Sequence, residues 1–329
     1  MLAPIVRGVA HLSVNEPFIA TILRPVSATR TKQPAEAASA LAVALVDWYR
    51  ANGRDLAFRR RADPYAVLVS EAMAQQTQAQ RAAAYWERFM TRFPTVEALA
   101  DATPADVLRQ WQGLGYNGRA LRLWRAACAI RDDHGGRVPD SVARLERLSG
   151  VGPYTARAVT AIAFGQPIGA VDVNVRRVLG RVIGGTADVP PATIQAAADA
   201  GAATIDPATW THAVMDLGAT VCRPREPRCD ACPARTFCRY PVSAGQRPTA
   251  STGTRRPATP FPATTRWLRG RILDRLREAR ADDWVSLDGP IGTHPLEQVH
   301  AATEALASEG MVEIGLRSVS VIHARLALA

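Results

Sequence analysis

A run of four cysteines, spaced as Cys222-x6-Cys229-x2-Cys232-x5-Cys238, constrains the fold of this sequence more than any other feature. The run contains four of the five cysteines of the chain within 17 residues. Disulfides do not explain this concentration in a chain without a secretory signal, whereas a metal centre needs several thiolates close together. Zinc accepts four such ligands but is usually held by two pairs across a longer gap, and one tight run suits an iron-sulfur cluster. The run predicts a metal centre of one of these two kinds.

The composition indicates a packed globular protein with an anionic partner. The 329 residues are 47% hydrophobic and carry a formal net charge of +10. That length allows two or three domains, and the positive charge favours a polyanion. No apolar run approaches the ~20 residues of a membrane span, and the N-terminus lacks the apolar region of a secretory signal. We therefore expect a cytoplasmic protein without a membrane partner.

Hydrophobic periodicity divides the chain into segments of different character. Residues 1–36 contain four prolines and no sustained period, which predicts a loosely ordered extension. Everything between 38 and 221 has helical periodicity, without a credible strand. Residues 241–266 are rich in Pro, Thr, Ser and Arg without an acid, and predict a flexible basic linker. Helices over 267–280 and 296–308, with a hairpin over 311–314 and 319–322, would suit a small winged-helix unit.

Leu148-Ser149-Gly150-Val151-Gly152-Pro153 predicts a turn between two helices. We expect Gly150 and Gly152 to adopt positive φ angles, and Pro153 suits the first turn of the second helix. Unpaired N-H groups at such a turn can bind an anion such as a DNA phosphate. An ordinary αα-hairpin also uses glycine, so the turn alone leaves both interpretations open.

Two carboxylates stand out beside this turn. Glu71 lies on an otherwise apolar helix that continues into Gln75-Gln76-Thr77, although surface helices also carry such residues. Asp172 stands at the start of a later helix, where the helix dipole stabilises its ionised form. Apolar surroundings would favour a protonated Glu71, so the two groups could serve as an acid and an anion.

The motifs, taken together, resemble those of the MutY-type, A/G-specific adenine DNA glycosylases over about residues 38–240. They are Glu71 before Gln-Gln-Thr, Gly-Leu-Gly-Tyr at 113–116, the glycine turn with Tyr-Thr-Ala after it, Val-Asp-x-Asn-Val-x-Arg-Val at 171–178, Met-Asp-Leu-Gly-Ala at 215–219 and the cysteine run. The resemblance implies an all-α, two-lobed helix-hairpin-helix core with a cleft between the lobes. Residues 37–62 and 171–240 would form the iron-sulfur lobe, residues 63–170 the hairpin lobe, and residues 267–329 a small α+β domain.

The resemblance also implies base-excision DNA repair by hydrolysis of the N-glycosidic bond of adenine opposite 8-oxoguanine or guanine. Such hydrolysis needs a proton on the leaving base and a negative charge near the sugar cation. Glu71 would protonate adenine and Asp172 would face the sugar. Tyr154 and Asn174 would assist at the same centre.

The expected partner is double-stranded DNA with a mismatched or oxidised base pair, bound by a monomer associated with the nucleoid. Because the base must leave the stack, Gln76 and Tyr116 are expected to act as a wedge in the distorted duplex. A 4Fe-4S cluster would be held by Cys222, Cys229, Cys232 and Cys238. The full set of predicted DNA-contacting residues is Arg59, Gln76, Thr77, Tyr116, Leu148, Gly150, Val151, Gly152, Arg223, Arg225 and Arg228.

The chain departs from the family pattern near the predicted base pocket, at Ala57-Phe58, Ala74, Asn117 and His212. The Nudix-like domain with which the family inspects 8-oxoguanine has no recognisable counterpart in residues 264–329. Two alternatives therefore stay open. A uracil or thymine mismatch glycosylase of the same superfamily would keep Asp172 and the cluster. A non-catalytic damage-binding protein would not need both carboxylates.

The lysine count predicts the form of the DNA product. Lys32, in the N-terminal extension, is the single lysine of the chain. Strand cleavage by β-elimination needs an amine that forms an imine with the sugar aldehyde. Endonuclease III-type relatives carry a lysine where this chain has Tyr154. We therefore predict a monofunctional enzyme that leaves an abasic site in an intact strand.

Borohydride reduction checks this prediction, because it converts an imine into a stable protein-DNA adduct. The native protein should give no efficient trapping, and the strand should break only after hot alkali. Trapping that survives both Lys32→Ala and a blocked N-terminal amine would contradict the assignment.

Overall fold

The computed structural model describes residues 34–241, 259–280, 283–317 and 321–328. Residues 1–33, with most of the predicted extension and Lys32, and most of the predicted linker lie outside this description. Contacts divide the chain into two compact units. We call Met1–Arg54 with Gly165–Arg247 the cluster unit, and Asp55–Phe164 with Pro248–Ala329 the hairpin unit.

The described residues are mainly helical, in agreement with the predicted all-α core. The helices are α1 Pro34–Asn52, α2 Pro64–Ala74, α3 Ala79–Arg92, α4 Val96–Ala100, α5 Pro104–Gln110, α6 Gly118–His134, α7 Val142–Leu145, α8 Pro153–Phe164, α9 Val173–Gly184, α10 Pro191–Thr204, α11 Pro207–Thr220, α12 Thr265–Glu278 and α13 Leu296–Ser308. The strands are β1 Val285–Leu287, β2 Val312–Arg317 and β3 Ile322–Leu326. No helix in the described part of the chain is long and apolar enough to cross a membrane.

The cluster unit packs α1, α9, α10 and α11 around one apolar core that includes Leu45 and Leu217. A buried ion pair fixes the end of α1 to α11. The backbone N of Arg54 donates to Asp216 at 2.8 Å, and its guanidinium donates to the same carboxylate at 2.6 and 2.8 Å. Asp216 is fully buried, whereas the side chain of Arg54 is 30% exposed, so the pair connects the core to the surface of the unit.

The hairpin unit packs α2 to α8 around large apolar side chains. Phe89 meets both Phe93 and Trp111 edge to face, and all three rings are fully buried. A short 3-10 helix at Ala57–Arg60 precedes α2. This turn packs against α3.

The C-terminal elements form a three-stranded antiparallel sheet in the order β1-β3-β2, with α12 and α13 beside it. The order along the chain is α12, β1, α13, β2, β3, so the two predicted helices and the final hairpin are present together with an additional strand. The predicted hairpin exists, but its strands are Val312–Arg317 and Ile322–Leu326 rather than 311–314 and 319–322. The three-residue strand β1 had no sequence prediction, because it is too short to show a period.

These C-terminal elements share a hydrophobic core with the helices of the hairpin unit. The Ala105 N-H donates to the Ala327 carbonyl at 2.9 Å. Arg277 reaches across with Nε on the Leu108 carbonyl at 3.0 Å and Nη2 on Asn117 Oδ1 at 2.7 Å. Burial lowers the pKa of Arg277, although its ion pair with Asp274 opposes that effect. The C-terminal segment is therefore packed on α5 and on the start of α6.

Candidate active site

Asp172 begins α9 as an N-cap whose carboxylate accepts three hydrogen bonds. One oxygen accepts from the backbone N-H groups of Asn174 at 2.8 Å and Val175 at 2.7 Å. The other accepts from the Asn174 side chain at 2.8 Å. The sequence prediction of a carboxylate at this helix start is thus confirmed. Three donors at a helix N-terminus hold the Asp172 carboxylate in one orientation, and the residue is only half-buried.

A hydrogen-bonded chain leads from Asp172 to the cysteine loop. Arg177 donates from Nη2 to Asn174 Oδ1 at 2.9 Å and to the Gly218 carbonyl at 2.7 Å. Its Nε donates to the Cys222 carbonyl at 2.8 Å. The orientation of Asn174, which holds Asp172, therefore depends on the path of the backbone at Cys222.

The four cysteines of the run line a single cavity of the cluster unit, together with Val221 and Tyr240. Burial, together with the neighbouring thiols, raises the pKa of Cys232 to about 11, and burial raises the pKa of Cys238. Four thiolates are favourable here only with positive charge among them, so the donor set fits a metal centre.

Among the described residues, no three or more Cys, His, Asp or Glu side chains are already arranged as ligands of one metal ion.

Arg181 donates hydrogen bonds to the backbone of the cysteine loop. Its Nη1 donates to the Arg223 carbonyl at 2.8 Å and lies 3.3 Å from Cys222 Sγ, and its Nη2 donates to the Pro224 carbonyl at 3.1 Å. Its guanidinium also lies over the Tyr240 ring. The predicted DNA-contacting side chains Arg223, Arg225 and Arg228 are all exposed on this loop.

In the hairpin unit, one buried guanidinium organises the two turns that carry the predicted wedge residues. Arg119 donates to carbonyls that end α2 and to carbonyls of the Gly-Leu-Gly turn. The acceptors are Ala72 at 3.1 Å, Met73 at 2.9 Å, Gln75 at a shorter distance, Leu114 at 3.4 Å and Gly115 at 3.1 Å, with Thr77 Oγ1 at 3.2 Å. Burial, followed by the charge of Arg122, lowers the pKa of Arg119 to about 10, so it stays charged at neutral pH.

Both predicted wedge residues adopt a left-handed backbone conformation. Gln76 has φ 54° and Tyr116 φ 48°, and among the described residues Glu226 is the one other non-glycine residue of this kind. Both side chains are exposed. Left-handed conformations are unfavourable for such residues and persist where the surrounding contacts impose them, which is typical of functional turns.

The glycine turn between α7 and α8 agrees only in part with its prediction. Gly150 has φ +79°, and a Cβ there would come within 2.8 Å of Arg122 Cβ. Gly152 does not have a positive φ, so that part of the prediction was wrong. It is exposed, and a Cβ added to it would meet no atom within 4 Å. Leu148 and Val151 are buried in the core, so only their backbone could contact DNA.

The remaining predicted site residues lie on helices or turns of the hairpin unit. Glu71 is half-buried on α2, one turn before the Gln75-Gln76 turn. Tyr154 is half-buried in the first turn of α8. Arg59 is half-buried on the 3-10 helix, and Thr77 is half-buried beside Arg119. Glu71 and Tyr154 thus belong to the hairpin unit, whereas Asp172 and Asn174 belong to the cluster unit.

Sequence reasoning missed two arginines that hold this site. Arg177 stands inside the Val-Asp-x-Asn-Val-x-Arg-Val motif, one turn after Asn174, and this spacing was a usable signal. Arg119 had no such signal, because the carbonyls that accept its hydrogen bonds lie up to 47 residues away in the chain. An arginine in the first turn of a helix looks like a surface residue until those carbonyls are known.

Comparison with known proteins agrees with this geometry. The model of the HhH-GPD superfamily of base excision DNA repair proteins matches residues 69–200. An adenine DNA glycosylase of Mycobacterium tuberculosis is 44% identical over 240 residues, which cover 71% of this chain and 78% of that protein. One from Mycolicibacterium smegmatis is 39% identical over 282 residues, 82% and 92% of the two chains.

A solved structure of a thermostable thymine-DNA glycosylase is similar in fold, with a TM-score of 0.57 and 26% identity over 62% of this chain and 95% of that one. Fold, motifs and relatives together place the chain in the HhH-GPD superfamily. Within it, the chain belongs to the adenine DNA glycosylases, which confirms the resemblance found in the sequence.

The close approach of Gly218 to Asn174 allows a test of whether the position of Asn174 matters for the reaction. A Cβ on Gly218 would lie 2.6 Å from Asn174 Cβ, so Gly218→Ala should displace Asn174 and the start of α9. We expect base release under single-turnover conditions to fall by about 10²-fold, the cost of a misplacement of about 1 Å.

Gly270→Ala on α12 is the matched control, since a Cβ there meets no atom within 4 Å. That variant should retain the native rate, and thermal unfolding should report any loss of folded protein in either variant. Equal rates for the two variants would mean that Asn174 tolerates the displacement.

Proposed function

We propose that this protein hydrolyses the N-glycosidic bond of adenine in double-stranded DNA, opposite 8-oxoguanine or guanine, and leaves the strand intact. The observation that carries the proposal is the Asp172 carboxylate, fixed by three donors at the start of α9. The adenine DNA glycosylases among its relatives support adenine as the base. We further propose that it acts as a monomer. The cytoplasmic, nucleoid-associated location stays a prediction.

In the proposed mechanism, Glu71 supplies the proton that the leaving base needs. Cleavage of the glycosidic bond leaves negative charge on the purine, and protonation of a ring nitrogen such as N7 neutralises it. The half-buried position of Glu71 on the apolar helix α2 supports this role. Tyr154 assists at the same centre.

Asp172 acts on the sugar side of the same bond. The transition state resembles an oxocarbenium ion, and a fixed carboxylate stabilises its positive charge or bonds briefly to the anomeric carbon before water attacks. Because helix N-H groups and Asn174 hold the carboxylate before substrate binds, little reorganisation is needed during the reaction. Arg177 orients Asn174 and is thus a positioning residue.

Duplex binding is proposed to use both units. Exposed Arg223, Arg225 and Arg228 contact phosphates from the cysteine loop, and the N-H of Gly152 contributes from the glycine turn. Gln76 and Tyr116, exposed in left-handed conformations, support the distorted duplex from which the adenine leaves.

We also propose that Cys222, Cys229, Cys232 and Cys238 hold a 4Fe-4S cluster. Such a cluster, when bound, supplies a folded anchor for the loop rather than a step of the hydrolysis. Two arginines also hold the backbone of the loop. Arg181 donates to the carbonyls of Arg223 and Pro224, and Arg177 donates to the carbonyl of Cys222.

Conservative replacement of the two carboxylates tests the chemistry. Asp172→Asn and Glu71→Gln should each lower adenine release from an adenine:8-oxoguanine duplex by about 10²-fold or more. Asn is itself a good N-cap, so Asp172→Asn should keep α9 folded. Duplex affinity should stay within a few fold, because phosphate contacts supply most of it.

Asp206→Asn is the control, because Asp206 caps α11 of the same unit with a 2.8 Å hydrogen bond from Thr209 N. It should release adenine at the native rate. Substantial turnover by Asp172→Asn or by Glu71→Gln would remove that residue from the mechanism.

Metal analysis of anaerobically purified protein tests the cluster. We expect about four iron atoms per chain and the brown colour of an iron-sulfur protein. Cys232→Ala should lose the iron, whereas Cys128→Ala should retain it, since Cys128 lies on α6 in the hairpin unit. One zinc ion per chain in place of iron would overturn the assignment.

A further inference from the structure

Two exposed aromatic rings in the hairpin unit share one arginine. Tyr116 is 43% and Phe261 54% exposed, and both are among the few large hydrophobic side chains exposed in the described ranges. The Arg266 Cζ lies 4.6 Å from the centre of the Tyr116 ring and 5.2 Å from that of Phe261. Arg266 Nη1 also donates to the Tyr116 hydroxyl at 2.6 Å. A residue of the C-terminal segment thus contacts one of the proposed wedge residues directly.

The support beneath these side chains is ordered by buried contacts. Thr264 caps α12, accepting from Trp267 N at 3.3 Å, and its hydroxyl donates to the Phe261 carbonyl at 2.7 Å. His294, which is buried, lies with Nε2 2.9 Å from the Pro262 carbonyl and stacks on Trp267 at 5.9 Å. These contacts fix the 3-10 turn Phe261–Ala263 and the first turn of α12, so Phe261 and Arg266 are presented on a rigid base.

The exposure of these two aromatic rings indicates a binding surface. Large aromatic side chains that stay exposed on a rigid support, beside a cation, are typical of surfaces that bind another molecule. Aromatic rings next to arginine are the means by which proteins stack on nucleic-acid bases while neutralising phosphates. Tyr116 has a second cation beneath it, with Arg119 Cζ 5.7 Å from its ring.

We propose that Phe261 and Arg266, together with Tyr116, form a base-stacking platform through which the C-terminal segment binds the distorted DNA duplex. The ligand is the face of a base unstacked beside the excised nucleotide, with an adjoining phosphate on Arg266. This inference rests on the proposed function, which supplies the distorted duplex. It gives the C-terminal segment a direct part in DNA binding.

The test uses the full chain with Asp172→Asn, which keeps the adenine:8-oxoguanine duplex intact during the measurement. Fluorescence anisotropy measures affinity for this duplex and for a fully paired one. Phe261→Ala and Arg266→Ala should each weaken binding of the mismatched duplex by about 10-fold. Phe261→Tyr should retain binding, and Phe261→Leu should lose it, because stacking needs an aromatic face.

Arg275→Ala is the control for charge, since Arg275 is exposed on the same helix α12. It removes the same charge as Arg266→Ala and should weaken both duplexes equally, by a few fold at most. The specific loss in the platform variants should be larger for the mismatched duplex than for the paired one. Thermal unfolding should show that Phe261→Ala is as stable as the parent protein.

Any of three results would overturn the proposal. The first is that Arg266→Ala and Phe261→Ala lose no more affinity than Arg275→Ala for either duplex. The second is that Phe261→Leu binds the mismatched duplex as well as Phe261→Tyr does, and the third is that the platform variants lose thermal stability but keep the parent affinity. The last result would mean that the Arg266 contacts serve internal packing alone. If the native protein releases no adenine but the platform variants still lose affinity, the proposed function fails while the platform stands.

Discussion

The buried guanidinium of Arg119 is the interaction on which the two turns that carry Gln76 and Tyr116 depend. Burying a cation is costly unless it is well hydrogen-bonded, and Arg119 meets this condition by donating to carbonyls of two different turns. The same bonds fix the turns at Gln76 and Tyr116 in left-handed conformations that an isolated chain would avoid. The rigid presentation of both residues is thus a consequence of one internal side chain. A lysine could not replace it, because a single ammonium lacks the five donors of the guanidinium.

The cluster unit uses arginine in the same way. Arg177 ties Asn174 to the backbone at Cys222, and Arg181 ties the cysteine loop at Arg223 and Pro224. Only some of the many arginines are therefore available on the surface to bind an anionic partner. Several of these guanidinium groups donate to backbone carbonyls inside the protein. The net charge of +10 therefore overstates the positive charge that is available to DNA.

The sequence predicted features that depend on local chemistry. Helix positions and the N-cap at Asp172 follow from periodicity and capping preference, and both agree with the structure. Features that depend on distant partners were missed. Asn117, which departs from the family pattern, accepts a hydrogen bond from Arg277 on α12. No local pattern indicates that the C-terminal segment packs there, or that Gly152 does not adopt a positive φ.

In the proposed function, the altered residues near the base pocket still select adenine, and the base released from different mispairs tests this selection most directly. Equal amounts of native protein would be given duplexes with adenine opposite 8-oxoguanine, adenine opposite guanine, uracil opposite guanine and thymine opposite guanine. The free base would be identified and quantified by mass spectrometry. We expect adenine from the first two duplexes and no base from the other two. Release of uracil or thymine without adenine would contradict it and establish a mismatch glycosylase of the same fold.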